Sequence, residues 1–382
     1  MKILFVTPGC FDKGGISRYS RYQISALRDL WGEGAVRVFS LLGQNCDSFE
    51  EDFKVHWSAG GIGMAAKVRF ALRLAKEILL WRPDVVHVAH VNLSGLAWGL
   101  AHLSNAKTLL NTYGLEVWSG LSPDAALGLR KMQHVLSDCY YTACYLENEG
   151  LRPAKSTSVI WDCVDLDQFS PGGPSPVVLA RYGIPDPELH FNLMTLGRLS
   201  FSAAHKGYER LLKAFAIVAP LYPQCRLIIA GKGDMCEELR RQAASLGVND
   251  RVIFTGMVHD GDLADVYRAA HLFSLVSDRG LQRGEGIPLT PLEAMACGVP
   301  ILVGNHDGSQ EAVATGENGF VLDPFDLDAH AGIIGRLVAD RELLHKLGVG
   351  ATKRARQFFS YEDFREKNCE LYTEIFKKED CV

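Results

Sequence analysis

Residues 191–218 read FNLMTLGRLSFSAAHKGYERLLKAFAIV: a short apolar run, a glycine-containing loop carrying Arg198 and Lys206, then apolar positions at helical spacing. The chain has already begun this way once. KILFV (2–6) leads through Gly14-Gly15 into a helical pattern at 16–30. Short apolar runs alternate with helical patterns after each opening, which is the mark of parallel sheets wound with helices. The expected strands of the first half are KILFV, VRVFSL, DVVHV, KTLLN, YYTA and SVIW, with a helix at 65–82. Those of the second half are FNLMTLG, RLIIAG, RVIFTG, HLFSLV, PILVG and GFVL, with helices at 208–218 and 235–246. VDLDQFSPGGPSPVV (164–178), rich in Pro and Gly, is the expected linker. The fold expected is α/β, with two Rossmann-like domains at 1–170 and 180–358 facing across a cleft into which the strands' carboxyl ends point.

The 382 residues suit two domains, and 47% hydrophobic with 22% charged residues is the balance of a soluble globular protein. A net charge of -5 argues against a general nucleic-acid binder, which needs a basic surface. Ten cysteines without a C-x-x-C pair read as reduced core residues, so neither a disulfide framework nor a metal site is expected. MKILFVTPGC reads as a buried strand rather than a signal peptide. No apolar run approaches the roughly 18 residues of a membrane span. The expected location is the cytoplasm, at most against the inner face of a membrane. AAKVRFALRLAKEILLWR (65–82) keeps the membrane open, because apolar positions at helical spacing alternate with Lys67, Arg69, Arg73, Lys76 and Arg82. The plainer expectation is a helix packed on a sheet with a solvated face.

Three loops carry residues that could do chemistry. Gly14-Gly15 lets backbone approach a ligand, and the helix behind it offers N–H groups to an anion. Arg198 ends a strand and Lys206 opens a helix, where the dipole disfavours a cation unless an anion shares the site. Together they could grip a diphosphate, Arg as a bidentate donor and Lys as a point charge. The third loop is RGEGIPLTPLEAMACGVPI (283–301), with Glu285 and Glu293 eight positions apart around Gly286, Pro288 and Pro291. Thr290 is the expected N-cap of a short helix at 292–296, with Glu293 in its first turn. Amides at 286–290 point where a phosphate could sit, and the glutamates could accept hydrogen bonds from sugar hydroxyls.

E-x7-E followed by A-M-A-x-G-x-P resembles the signature of the group 1 glycosyltransferases, glycosyltransferase family 4, and the resemblance covers nearly the whole chain. GRL…KG (197–207), IIAGKGD (228–234), VIFTG-x-V (252–258), NHDGSQEAV…ENGF (305–320), Gly14-Gly15 and VIWDCVDLDQF (159–169) fall where that family's segments stand. The resemblance implies a GT-B fold, retention of anomeric configuration and no metal or other cofactor. It implies that Arg198 and Lys206 bind the donor's diphosphate and assist its departure, and that Glu285, with the backbone of Gly286 and Ile287, holds the transferred sugar. Leu289 and Thr290 would face the phosphates, with Pro288 in the same donor-binding loop; Glu293 would bind the ribose, and the backbone of Val258 would contact the base. The donor implied is a UDP-hexose, UDP-glucose first, and the acceptor a glycan or lipid-linked glycan in polysaccharide biosynthesis. The last helix, opened by a capping-box-like Ser360-Tyr-Glu-Asp363 and running to about Lys378, would cross back so that 360–382 joins the first domain. NTYGLEVW (111–118) is similar to the family's H-G-x-E segment, with Tyr113 in place of histidine and Glu116 left as an N-domain candidate on the acceptor side. Cys163 stands where the family usually has glycine.

Other readings compete with this one. Gly61-Ile-Gly63-Met-Ala-Ala66 fits a dinucleotide fingerprint, but Asp84 would open its strand rather than close it. Asp165/Asp167, Asp260/Asp262 and Asp326/Asp328 match the Asp-x-Asp of metal-dependent transferases, and three hits of so short a motif suggest chance. A nucleotide-sugar epimerase shares the two-domain shape. A sugar-nucleotide-binding protein without activity is the non-enzyme alternative, with Tyr113 as its support.

Overall fold

The computed structural model describes residues 1–12, 14–44, 53–280 and 283–376, and it divides into two units, 1–163 with 361–382 and 164–360. In the first unit β1 (Ile3–Thr7), β2 (Val36–Ser40), β3 (Trp57–Ser58), β4 (Val85–Val88), β5 (Lys107–Thr112), β6 (His134–Ser137) and β7 (Thr157–Val159) form one sheet. Their spatial order is β3-β2-β1-β4-β5-β6-β7, every pair parallel. In the second unit β8 (Phe191–Leu196), β9 (Cys225–Ala230), β10 (Val252–Gly256), β11 (Leu272–Leu275), β12 (Ile301–Gly304) and β13 (Gly319–Leu322) lie in the order β10-β9-β8-β11-β12-β13, again parallel. In both sheets the order reverses beside the unit's first strand, the doubly wound arrangement with its switch point there. The inner strands are nearly all buried, as parallel strands covered by helices on both faces must be, while the outer strands β3, β7, β10 and β13 are only partly so.

The six strands expected in the second half all form. In the first half YYTA is not a strand: Tyr140–Asn148 is a helix, and β6 lies just before it. Aromatic and β-branched residues give that stretch its strand-like look, but Thr142 and Leu146, four apart, are the two it buries. The stretch 164–178 is not a free linker either. Phe169 is buried edge-on to Tyr267 with ring centroids 5.9 Å apart, Arg268 Nε donates to Ser170 O at 2.8 Å, and Pro176–Tyr182 is helical. Gly and Pro there shape a segment that packs on the second unit instead of spacing two domains.

The three Asp-x-Asp pairs all have other work. Asp165 accepts the amides of Asp167 and Gln168, Asp262 pairs with Arg181 at 2.5 Å, and Asp326 caps the helix Leu327–Ala339. Asp84 sits just ahead of β4 and accepts the Lys2 amide at 2.7 Å. Every described cysteine is a thiol rather than half a disulfide, with Cys10, Cys139, Cys163, Cys225 and Cys297 buried. Cys46, Cys381 and the end of the last helix expected at Lys378 lie outside the described residues.

The helix Tyr361–Phe376 packs on the helix Gly15–Trp31 in the first unit and is tied there by a buried polar chain. His87 Nε2 bonds Asn111 Oδ1 at 2.7 Å, which makes Nε2 the protonated nitrogen and Nδ1 the acceptor for Tyr372 Oη at 2.5 Å. Asn111 Nδ2 donates to Gln23 Oε1 at 2.6 Å, and Gln23 Nε2 donates to Asn368 Oδ1 at 3.0 Å. Burial lowers His87 to about 4, so the ring stays neutral at ordinary pH and the chain carries no buried charge. Asn368→Leu strands the Gln23 amide in the core and should cost about 1–3 kcal/mol. Urea unfolding of the full chain, followed by hydrogen exchange of the first unit's amides, checks this; an unchanged midpoint would remove the network as an anchor.

Candidate active site

In the second unit, Glu285 lies in the loop between β11 and the helix Leu289–Ala296. Its Oε1 meets His205 Nε2 at 2.6 Å and Lys206 Nζ at 2.9 Å, with the Lys206 and Glu285 side chains 16% and 18% exposed. Burial would raise this carboxyl, but the charge of Lys206 and the bond from His205 outweigh it and hold it at about 2. The loop itself is pinned. Glu285 N donates to Asp307 Oδ2 at 3.1 Å, and Glu285 O accepts from Gly308 N at 3.1 Å. Asp307 is wholly buried and also accepts from Ser277 Oγ at 2.7 Å and from Ser309 N at 3.1 Å. Burial pushes its carboxyl up, and the Ser309 and Ser277 hydroxyls oppose this.

His205 and Lys206 end the 3-10 turn Phe201–Lys206. The chain then turns into the helix Tyr208–Val218 through Gly207 at φ +83, where a Cβ would stand 2.5 Å from Val276 O. Only glycine fits that corner. His205 O accepts from Asp278 N at 2.9 Å and Arg210 Nη2 at 3.0 Å, and buried Asp278 pairs with Arg210 at 3.1 Å and Arg283 at 3.0 Å. Backbone and side chain of the His205-Lys206 pair are thus both fixed. Arg198 follows β8, its carbonyl accepting from Tyr208 Oη at 3.3 Å; its side chain is exposed and has no carboxylate partner among the described residues. A Cβ at Gly197 would lie 2.5 Å from that Tyr208 hydroxyl, so the strand end and the helix approach each other there.

The rest of the loop departs from expectation in its capping. The helix starts at Leu289 with Pro288 as N-cap, not Thr290: extended Pro288 (ψ 139) hands over to a first turn whose amides have no acceptor within the helix. Pro291 fits that turn for the same reason. Glu293 is therefore the fifth helical residue, beyond the first turn. It is 2% exposed and accepts from Tyr267 Oη at 2.7 Å. Thr290 Oγ1 is buried and lacks a hydrogen-bond partner among the described residues. Gly286, Ile287 and Leu289 flank Glu285 and the helix start, and Val258 lies 9% exposed after β10.

Candidates of the first unit read differently. Gly14 N donates to Asp12 Oδ1 at 2.8 Å, and the same carboxylate takes the Ser17 hydroxyl, so an internal anion already serves this helix start; Gly15 is exposed beside it. Tyr113, the candidate on the acceptor side, is packed in the first unit's core. It is 7% exposed, its Oη accepts from Asn111 Nδ2 at 3.0 Å, and its ring meets Tyr19 edge-on at 5.3 Å. Burial pushes its phenol well up. Glu116 accepts the Tyr113 amide at 2.5 Å; burial raises its carboxyl while backbone amides oppose this, so it caps the turn Leu115–Trp118.

Three residues of the cluster were not foreseen: His205, Asp307 and Asp278. A histidine next to Lys206 and an aspartate within NHDGSQ were visible, but nothing local says that one meets Glu285 and the other holds its amide.

Residues 192–354 match the family described as Glycosyl transferases group 1. Over these residues, less than half of its length, the chain is similar to the group 1 glycosyltransferases. It is 30% identical over 258 residues to the GDP-mannose-dependent alpha-(1-6)-phosphatidylinositol monomannoside mannosyltransferase of Mycolicibacterium smegmatis, spanning 65% of this chain and 66% of that relative. It is 34% identical over 177 residues to mannosylfructose-phosphate synthase of Agrobacterium fabrum, spanning 44% of this chain and 37% of that one. The chain therefore spans less than two thirds of the length of these relatives. Among solved structures, Anabaena Alr3699/HepE in complex with UDP superposes with a TM-score of 0.78 at 19% identity, covering 98% of this chain and 100% of that chain. The fold is GT-B, built from two Rossmann-like units.

The low pKa of Glu285 has a pH consequence. A carboxyl held at about 2, below its ordinary 4.5, stabilises the fold above 4.5 and loses that contribution as pH falls towards 2. Glu285→Gln should remove this slope, a difference on the order of 3 kcal/mol between wild type and variant at neutral pH that vanishes by about pH 2. Denaturant titrations of both proteins across that range test it; parallel curves would show that Glu285 is not ion-paired in the folded chain.

Proposed function

We propose that this glycosyltransferase moves a hexose from a nucleoside-diphosphate sugar, UDP-glucose first, to a glycan or lipid-linked glycan with retention of configuration and without a metal. The observation that carries the proposal is the Glu285 carboxylate held by His205 and Lys206 in the same unit as exposed Arg198. Lys206 is shared between two roles. Without donor it neutralises Glu285; with donor it faces a diphosphate carrying more negative charge, and Arg198 adds a bidentate grip. Glu285 then keeps its bond from His205 Nε2, which orients the carboxylate to accept hydroxyls of the sugar. As the glycosidic bond breaks, negative charge grows on the departing diphosphate, and the two cations stabilise it there. Thr290 Oγ1, buried and without a hydrogen-bond partner among the described residues, supports a polar contact at the start of the helix Leu289–Ala296, where amides favour phosphate. Buried Glu293, oriented by Tyr267, is the proposed ribose acceptor, and the backbone at Val258 the proposed base contact.

A second donor, GDP-mannose, is favoured by the name of the mycobacterial relative. A base read through backbone discriminates weakly, so the donor has to be measured. A thermal-shift screen with UDP, GDP, UDP-glucose and GDP-mannose in EDTA separates the two. A donor at 100 times its dissociation constant stabilises the fold by about 2.7 kcal/mol. A response to GDP-mannose alone would replace UDP-glucose, and a response to neither would overturn the transferase reading.

Glu285→Ala should lower kcat by about 100-fold or more while changing nucleotide affinity little, because its partner is the sugar. Arg198→Ala and Lys206→Ala should each weaken binding of the nucleoside diphosphate about tenfold or more. Calorimetry with the nucleotide beside steady-state kinetics distinguishes these roles; equal losses in turnover and nucleotide binding for Glu285→Ala would move it off the sugar.

A further inference from the structure

The helix Met64–Trp81 has two apolar faces, and the fold uses one. Ala66, Phe70, Leu74 and Ile78, spaced at four-residue steps, are 7%, 1%, 0% and 0% exposed and belong to the first unit's core. On the opposite side Met64, Val68, Leu72 and Leu79 share one line at i, i+4, i+8 and i+15, and they are 77%, 49%, 67% and 50% exposed. Leu80, on the side that carries Arg69, Arg73 and Lys76, and Ile62, just ahead of the helix, are also exposed, at 73% and 67%. A helix packed on a sheet normally turns polar side chains outward, and scattered apolar residues there need no explanation. A continuous outward ridge does.

The charges around the ridge say what covers it. Lys67, Arg69, Arg73, Lys76 and Arg82 are all exposed, and Arg69 Nη2 spends one bond on Ala59 O at 3.1 Å. The helix has one acid, Glu77, and it is turned inward at 8% exposure with its carboxylate paired to Arg37 of β2. The outer face therefore presents apolar side chains among cations with no helix anion to balance them, in a chain whose net charge is -5. A second copy laid face to face would oppose like charges. A nucleic acid would match the cations but leave the leucines in water.

We propose that this face seats the enzyme on an anionic lipid surface, with Met64, Val68, Leu72 and Leu79 entering the headgroup–acyl boundary and the cations meeting lipid phosphates. The seating depends on this helix and not on which sugar is transferred. Lys and Arg on long stems can reach upward while the ridge is immersed, which suits their position beside it.

Flotation of the full chain with vesicles of phosphatidylcholine, with and without phosphatidylglycerol, tests this. Binding should require phosphatidylglycerol and weaken as salt rises. Leu72→Ser with Leu79→Ser, and separately Arg73→Glu with Lys76→Glu, should each lower binding about tenfold or more. Leu221→Ser, an equally exposed site on the second unit (71%), should leave it unchanged. All the substituted side chains are solvent-exposed, and circular dichroism verifies that each variant is folded. Equal binding to both vesicle types, or binding unaffected by both double variants, would overturn the proposal. So would sedimentation showing a dimer that Leu72→Ser with Leu79→Ser dissolves while wild type ignores vesicles; that outcome would make the ridge a self-association face.

Discussion

The bond pattern around one carboxylate organises the second unit's candidate site. Glu285 is removed from most solvent, which is costly for an ionised group, and remains charged because Lys206 and His205 converge on its Oε1. That arrangement needs the loop after β8 and the loop after β11 to be held in mutual register. Backbone contacts supply this. Asp278 and Arg210 hold the carbonyl of His205, while Asp307 and Gly308 hold the amide and carbonyl of Glu285. Charges at 285 and 206 thus rest on two further buried acids whose work is to fix backbone. Such preorganisation lets a site stabilise developing charge without reorganising first.

The first unit solves a related problem without charge. Its terminal helix comes from far along the chain, after the whole second unit, and is joined through neutral groups: Tyr372 to His87, Asn111 to Gln23, and Gln23 to Asn368. Each donor in this chain finds an acceptor, so burying the polar atoms costs little while the geometry stays specific. Tyr113 belongs to this network. A phenol at that position can bond Asn111 and pack on Tyr19, which draws the side chain into the core rather than toward solvent.

The outward ridge of the helix Met64–Trp81 shows how one periodic pattern can hide two faces. Apolar residues at four-residue spacing predict a helix whichever side they occupy. Only the sheet beneath decides that Phe70 and Leu74 are core while Val68 and Leu72 meet solvent.

By itself the sequence determined the alternation of strands and helices, the doubled strand–loop–helix opening, and the family signature in which Arg198, Lys206, Glu285 and Glu293 stand. These are local facts, set by side-chain periodicity and by glycine and proline at turns. It misread YYTA, because aromatic and β-branched residues suit both a strand and a short helix, and only packing chooses between them. It misplaced the cap of the Glu293 helix, because Thr290 is a good cap by type while Pro288 has the extended backbone the position requires. It was silent on His205 meeting Glu285 and on Asp307 holding Glu285, which are 80 and 22 positions from their partner. A hydrogen bond acts over about 3 Å of space and has no reach along the chain, so only the folded sheet, by bringing its loops to one end, could decide those pairs.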